Sequence, residues 1–224
     1  MNPITKLNSF VFSTSTSIVY FVWNELSEIT FETKFINILL TLVVSISFYR
    51  LLYKLGLLLC EKNDLIKKLI LGKKYFHGIW VGFYIYNDVP TLYYEIFDQT
   101  VEKLTITGRA FDIEGNYKEG WTIVDPYINV EESKMSYYYE TTETDNNSIN
   151  IGFVKANIVF KKQTEAIQTE GFAIDSDDTI KVFFFDMKTN CKVNKIIKSK
   201  DFYNKELYDK AMQLYSNNCK HFIP

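Results

Sequence analysis

The sequence predicts a membrane-anchored all-β protein, with two N-terminal transmembrane helices, a small antiparallel β-barrel of about eight strands, and a C-terminal helix. Three observations carry this expectation. A long uncharged apolar run lies within the first sixty residues, the hydrophobic period changes from 3.6 to 2 at Tyr75, and single glycines recur about once per strand-like segment. The implied boundaries are 1–60 for the helical pair, 61–74 for a basic amphipathic stalk, 75–198 for the barrel and 199–224 for the C-terminal helix.

The second helix is the stronger of the pair. Phe35 to Tyr49 carries no charge, and the run RLLYKLGLLLC extends it with Arg50 and Lys54 placed to reach an interface. Residues 35–59 as a helix would span about 37 Å, longer than a hydrocarbon core of about 30 Å. A buried core helix is the competing reading, but the polar face such a helix shows is missing until Arg50. The first helix, Leu7 to Asn24, is also uncharged but holds Ser9, Ser13, Thr14, Ser15, Thr16 and Ser17. Hydroxyls of this kind bond within their own helix or to a neighbour. A signal peptide is disfavoured, because Lys6 alone precedes the apolar run and no small-x-small cleavage site follows.

Charge sets the expected orientation. The loop Glu25–Lys34 is acidic, whereas Arg50, Lys54, Lys62, Lys67, Lys68, Lys73 and Lys74 follow the second span. Positive charge collects on the inner side, which places both termini and the barrel in the cytoplasm. The stalk Glu61–Lys74 carries Leu65, Ile66, Leu69 and Ile70 at helical spacing, so its lysines either rest on anionic head groups or face solvent.

Seven strands are expected from alternation and turn chemistry, at 75–86, 103–112, 117–125, 134–143, 151–162, 165–175 and 179–188. An eighth is either TLYYEIF at 91–97 or KVNKIIK at 192–198. Gly78, Trp80 and Gly82 share one face of the first strand, which favours a closed barrel over a sandwich, with Trp80 plugging one end. From Asp201 to Asn218, Phe202, Leu207, Ala211, Leu214 and Tyr215 lie near helical spacing, with Asp201 as the expected N-cap.

Composition limits the chemistry. Residues 1–74 hold 9 Lys+Arg against 5 Asp+Glu, a net of +4, and residues 75–224 hold 16 against 22, a net of −6. An acidic barrel domain is unsuited to tracking polymeric nucleic acid. Cys60, Cys191 and Cys219 lack paired or metal-like spacing, and their odd number argues against a disulfide framework. No G-x-S-x-G, P-loop, H-E-x-x-H or C-x-x-C occurs, and His77 and His221 are far apart in sequence. The expectation is a binding protein rather than an enzyme, with no cofactor and no metal.

The candidate binding residues are Tyr84, Thr105, Thr107, Arg109, Trp121, Tyr137 and Tyr139. Arg109 is the single arginine after Tyr75, and a guanidinium fork suits phosphate or a stacked base. Flat aromatic walls stack on bases at about 1–3 kcal/mol each. The competing reading makes these tyrosines barrel core and rim. Alternation lets either Tyr137 and Tyr139 or Tyr138 look inward, not both.

This order of parts resembles the two-transmembrane, β-strand-rich effectors associated with CD-NTases in bacterial antiphage signalling (CBASS). The matching residues are the hydrophobic pair before Glu61, Gly78–Tyr84 as G-x-W-x-G-x-Y, Leu104–Ile106, Trp121, the alternating Met135, Tyr137 and Tyr139, and Gly171–Phe172. The resemblance implies a receptor whose barrel binds a cyclic dinucleotide made by a cognate CD-NTase. It further implies self-association on binding, then disruption of inner-membrane lipids and death of the infected cell. A membrane-tethered, lipocalin-like carrier of a small apolar molecule is the alternative.

Overall fold

A computed structural model of the chain describes residues 3–26, 34–143, 149–162, 165–176, 181–191 and 203–219. The contacts divide it into two compact units, one of Met1–Leu71 with Thr100–Glu102 and the other of Gly72–Gln99 with Lys103–Pro224.

The first unit is helical. Helix α1 spans Pro3–Leu26, opening on a proline whose missing N–H is no loss in a first turn. Helix α2 spans Lys34–Lys62, and the short α3 spans Asp64–Leu71. Leu7 and Val11 of α1 are buried with Cys60 of α2, and Leu7 lies against Gly56. Within α1 the hydroxyls of Thr14, Thr16 and Ser17 donate to carbonyls four residues back at 2.8–3.0 Å, which satisfies them without water. Among the described residues one stretch, Thr41–Lys62, is long and apolar enough to cross a bilayer. Its apolar side chains, among them Leu42, Val43, Ile46, Leu51, Leu55 and Leu58, are exposed. α1 does not reach that apolarity among the described residues, because its serines and threonines dilute it. Of the two expected spans, one helix has the length and apolarity that crossing a bilayer requires. Asn63 caps α3, its side-chain oxygen accepting from Leu65 N at 2.9 Å.

The second unit is an up-and-down barrel. Its strands are β1 (Gly78–Tyr86), β2 (Val89–Gln99), β3 (Leu104–Phe111), β4 (Tyr117–Val124), β5 (Tyr127–Asn129), β6 (Lys134–Glu143), β7 (Ile149–Lys161), β8 (Glu165–Asp175) and β9 (Val182–Lys188). Each pairs antiparallel with its sequence neighbour except β4 with β5, both of which pair with β6. β9 returns to β1, with Phe183 opposite Ile85 and Lys188 opposite Trp80, so eight strands close and β5 is a short extension.

β4 and β5 act as one strand broken at Asp125–Pro126. Their registers on β6 differ by one residue, as a bulge requires. Asp125 adopts φ 53°, and it exchanges hydrogen bonds with Leu104, donating from its N at 2.8 Å and accepting at its carboxylate at 3.2 Å. Pro126, lacking an N–H, sits where no ladder bond is needed.

The eighth strand is the 91–97 candidate, lengthened to 89–99, and 192–198 lies outside the described residues. Alternation sorts the side chains between two cores. Inside lie Trp80, Tyr93, Phe97, Leu104, Ile106, Ile123, Met135, Tyr137, Val154 and Ile158. Outside, Ile79, Val81, Phe83, Leu92 and Tyr94 are covered by α4, Lys205–Asn218, through Leu207, Ala211 and Leu214. The α4 N-cap is Asn204, whose side chain accepts from Leu207 N at 3.1 Å, rather than Asp201, which lies outside the described residues.

Gly171 sets how sharply β8 curls against β7. A Cβ there would come within 2.1 Å of the Lys155 carbonyl oxygen, and backbone cannot move aside as a side chain tip can. Gly171→Ala should destabilise the barrel by about 1–3 kcal/mol, read as a lower urea midpoint in micelles from tryptophan fluorescence.

Candidate functional site

The barrel interior is built in two parts, and the difference lies in which residues alternation turns inward. At the end where β1 begins, the lining is apolar. Trp80 is fully buried, packs at a tilt against Phe97 with 5.0 Å between ring centres, and donates its indole N–H to the Phe76 carbonyl at 3.1 Å. This is the expected plug. The Gln99 side chain closes the same end, accepting from Phe76 N at 2.7 Å and donating to Lys74 O at 2.7 Å.

Beyond the plug, aromatic rings lie flat across glycines on neighbouring strands. A Cβ on Gly108 would meet the Trp121 ring at 2.0 Å, and one on Gly82 or Gly152 would meet Tyr93 or Tyr139 at 2.4 Å. The rings form a continuous lining, with Tyr84 and Tyr93 centred 6.1 Å apart and Tyr93 and Trp121 meeting edge to face at 5.7 Å.

Four carboxyl groups share this lining. Glu95, 3% exposed, accepts from the Trp121 indole at 2.8 Å. Asp186, 1% exposed, accepts from Thr169 N at 3.0 Å, Thr169 Oγ1 at 2.6 Å and the Tyr93 hydroxyl at 3.4 Å. Nearer the end where β1 finishes, Tyr84 donates to Glu119 at 2.5 Å and Tyr139 donates to Asp175. Burial pushes the carboxyls of Glu95 and Asp186 well above the usual range; the neighbouring Asp186 adds to the rise of Glu95, while the hydrogen bonds from Thr169 and Tyr93 pull Asp186 part of the way back. Burial beside these acids also pushes the phenols of Tyr93 and Tyr137 up.

Thr141 is the exception among these satisfied groups. It stands opposite Trp121 in the β4–β6 register, is 4% exposed, and its hydroxyl has no hydrogen-bond partner. A buried hydroxyl left unpaired costs about 1–3 kcal/mol, so a partner from outside the chain would find that free energy available.

The structure brings together four of the seven sequence candidates. Tyr84, Trp121, Tyr137 and Tyr139 line the interior, with Tyr138 on the outer wall at 73% exposure. Thr105, Thr107 and Arg109 alternate with the inward Leu104, Ile106, Gly108 and Ala110, so they stand on the opposite side of β3. The single pocket pairing a guanidinium with aromatic walls is thus not formed. Arg109 instead donates to the Gly108 carbonyl at 2.7 Å and lies over Gly120. It neighbours Tyr94, whose phenol burial pushes up to about 12 against the pull of that guanidinium.

Sequence reasoning missed Glu95, Asp186, Glu119, Asp175 and Thr141. A signal existed for the first two. Glu95 shares parity with Tyr93 and Phe97, and Asp186 with Phe184, so each acid interrupts an inward apolar set. Among the described residues no cluster of three or more His, Cys, Asp or Glu has the geometry to hold a metal ion.

No protein-family model, curated protein or solved structure matches this chain.

The acid pair makes stability depend on pH in a definite direction. Carboxyls whose pKa is raised by folding hold protons that the unfolded chain, titrating near pH 4, has already released. Their favourable contribution is complete below that point and is lost as pH rises through the raised values. The barrel should therefore melt at progressively lower temperature from pH 5 to pH 9, and Glu95→Gln should flatten the slope. Fluorescence melts of both proteins across that range check it.

Proposed function

We propose that this chain is a membrane-anchored receptor and antiphage effector, whose barrel binds a cyclic nucleotide messenger, foremost a cyclic dinucleotide. Binding drives self-association, and α1 and α2 together then disrupt the inner membrane of the infected cell. The proposed membrane arrangement has two spans with both termini and the barrel in the cytoplasm. One observation carries the reading: an unpartnered, buried Thr141 hydroxyl beside Trp121, inside an aromatic-lined barrel on the same chain as an apolar helix. The resemblance in order of parts points the same way. A ligand acts in such a system only by binding the assembled state better than the resting one.

An apolar cargo suits this lining less well than a polar flat one. Seating a hydrocarbon against Thr141 would leave its hydroxyl unpaired, and would bring apolar surface against the buried acids Glu95 and Asp186. The receptor reading assigns ligand contact to Tyr84, Trp121, Tyr137 and Tyr139, all on the inner wall.

Melting of the full chain in micelles against cyclic di- and trinucleotides tests this. A true ligand at a hundred times its dissociation constant adds about 2.7 kcal/mol, several degrees in melting temperature. Cooperative melting with no shift across the panel would remove the receptor reading. Loss of the shift in Arg109→Ala alone would move the ligand to the outer wall. For the membrane step, Ile46→Asp places a carboxylate within α2 at about 3 kcal/mol of insertion. Vesicles carrying that variant should stay sealed with ligand present, while those carrying the unaltered chain leak.

A further inference from the structure

The apolar face of α2 does not end with α2. Leu55 and Leu58 are exposed, and Leu65 and Leu69 of α3 continue their stripe by alternate steps of three and four residues, with exposed Lys62 between. Helical hydrogen bonds run on either side of the break, Asn63 N donating to Leu59 O and Lys67 N to Asn63 O at 3.0 Å. Packing fixes which way α3 faces. Ile66 and Ile70 join the cluster of Leu7, Val11 and Cys60, and Lys67 turns inward, with Asp64 at 3.6 Å. The helix cannot roll to hide Leu65 and Leu69 without exposing the isoleucines.

Length indicates what surrounds this face. Thr41–Lys62 is 22 residues, about 33 Å of helix against a hydrocarbon core of about 30 Å. The core is therefore used up near Lys62, and the headgroup layer beyond it is about 5–8 Å deep. Eight further residues add about 12 Å, so α3 lies in or against that layer. Its charge is matched to the same place. From Glu61 to Lys74 five lysines stand against two acids, one of which, Asp64, already faces Lys67. At about 100° per residue, Lys62 and Lys68 flank the leucine pair on the helix surface. Leucines between lysines suit a surface that offers hydrocarbon and negative charge together.

We propose that α3 is seated in the headgroup layer of an anionic leaflet, with Leu65 and Leu69 at the acyl boundary and Lys62 and Lys68 on lipid phosphates. This rests on α2 spanning the membrane and on no ligand of the barrel. It makes the anchor sensitive to the charge of the leaflet it stands in.

A polarity-sensitive fluorophore on Leu69→Cys tests the assignment, in the full chain with Cys60→Ala, Cys191→Ser and Cys219→Ser. The same label on Ile46→Cys reports α2, and both labelled positions are exposed. The vesicles are phosphatidylcholine alone, or phosphatidylcholine and phosphatidylglycerol in equal parts. In the mixed vesicles the Leu69 label should emit to the blue and be quenched by a lipid carrying a nitroxide on its headgroup. It should return toward its aqueous emission in phosphatidylcholine alone, in about 1 M salt, where the Debye length is about 3 Å, and on Lys62→Glu with Lys68→Glu. The Ile46 label should read as lipid-buried throughout. A Leu69 label that is aqueous in mixed vesicles, or indifferent to lipid charge, salt and the lysine reversal, would overturn the proposal and leave the span standing. So would a blue emission that the nitroxide lipid does not quench, since protein would then cover the helix. An aqueous Ile46 label would overturn the span and the proposal together.

Discussion

Pairing of β9 with β1 turns a meander of hairpins into a closed surface, and most of the barrel's properties follow from that one contact. A closed sheet has no exposed edge and divides its side chains strictly between inside and outside. The division is so sharp that Arg109 and Trp121, on adjacent strands and one register step apart, face opposite directions. Closure also demands curvature. Gly171, the glycines under Tyr93, Trp121 and Tyr139, and the bulge at Asp125–Pro126 all relieve crowding that a flat sheet would not have.

The interior then carries an energetic tension. Eight strands enclose a space that side chains fill, and hydrocarbon would fill it at least cost. Here the end around Trp80 and Phe97 follows that rule, while the remainder holds Glu95, Asp186, Glu119 and Asp175. Each acid has a donor, and the two most deeply buried keep their protons more readily than free carboxylates do. Such an interior is less stable than an apolar one of equal volume, and retention of polar groups at that expense accords with a binding role. Thr141 sharpens the point, because it has no internal partner at all.

Outside the barrel, the helical unit and α4 solve separate problems. α4 covers the apolar outer face of β1 and β2, which an exposed barrel wall would present to water. α2 leaves its apolar side chains uncovered, and α1 folds its hydroxyls back onto its own backbone. α3 exposes Leu65 and Leu69 at 79% and 80% beside lysines, the pattern of a helix suited to an interface.

Much of this was legible in the chain. Alternation located seven strands and offered the eighth, and helical spacing located α4, because local periodicity reports which face an element buries. The inward pointing of Tyr137 and Tyr139 rather than Tyr138 had been left open, since parity within one strand has no sign until the strand is placed. The apolarity of α2, the absence of catalytic motifs and the alternation of β3 belong to the sequence itself. Only the tertiary structure decided which parity faced inward, which put Glu95, Asp186 and Thr141 in one interior and Arg109 outside it. The physical reason is that burial of a side chain depends on pairings between strands as far apart in sequence as Trp80 and Lys188, and no local pattern carries that information.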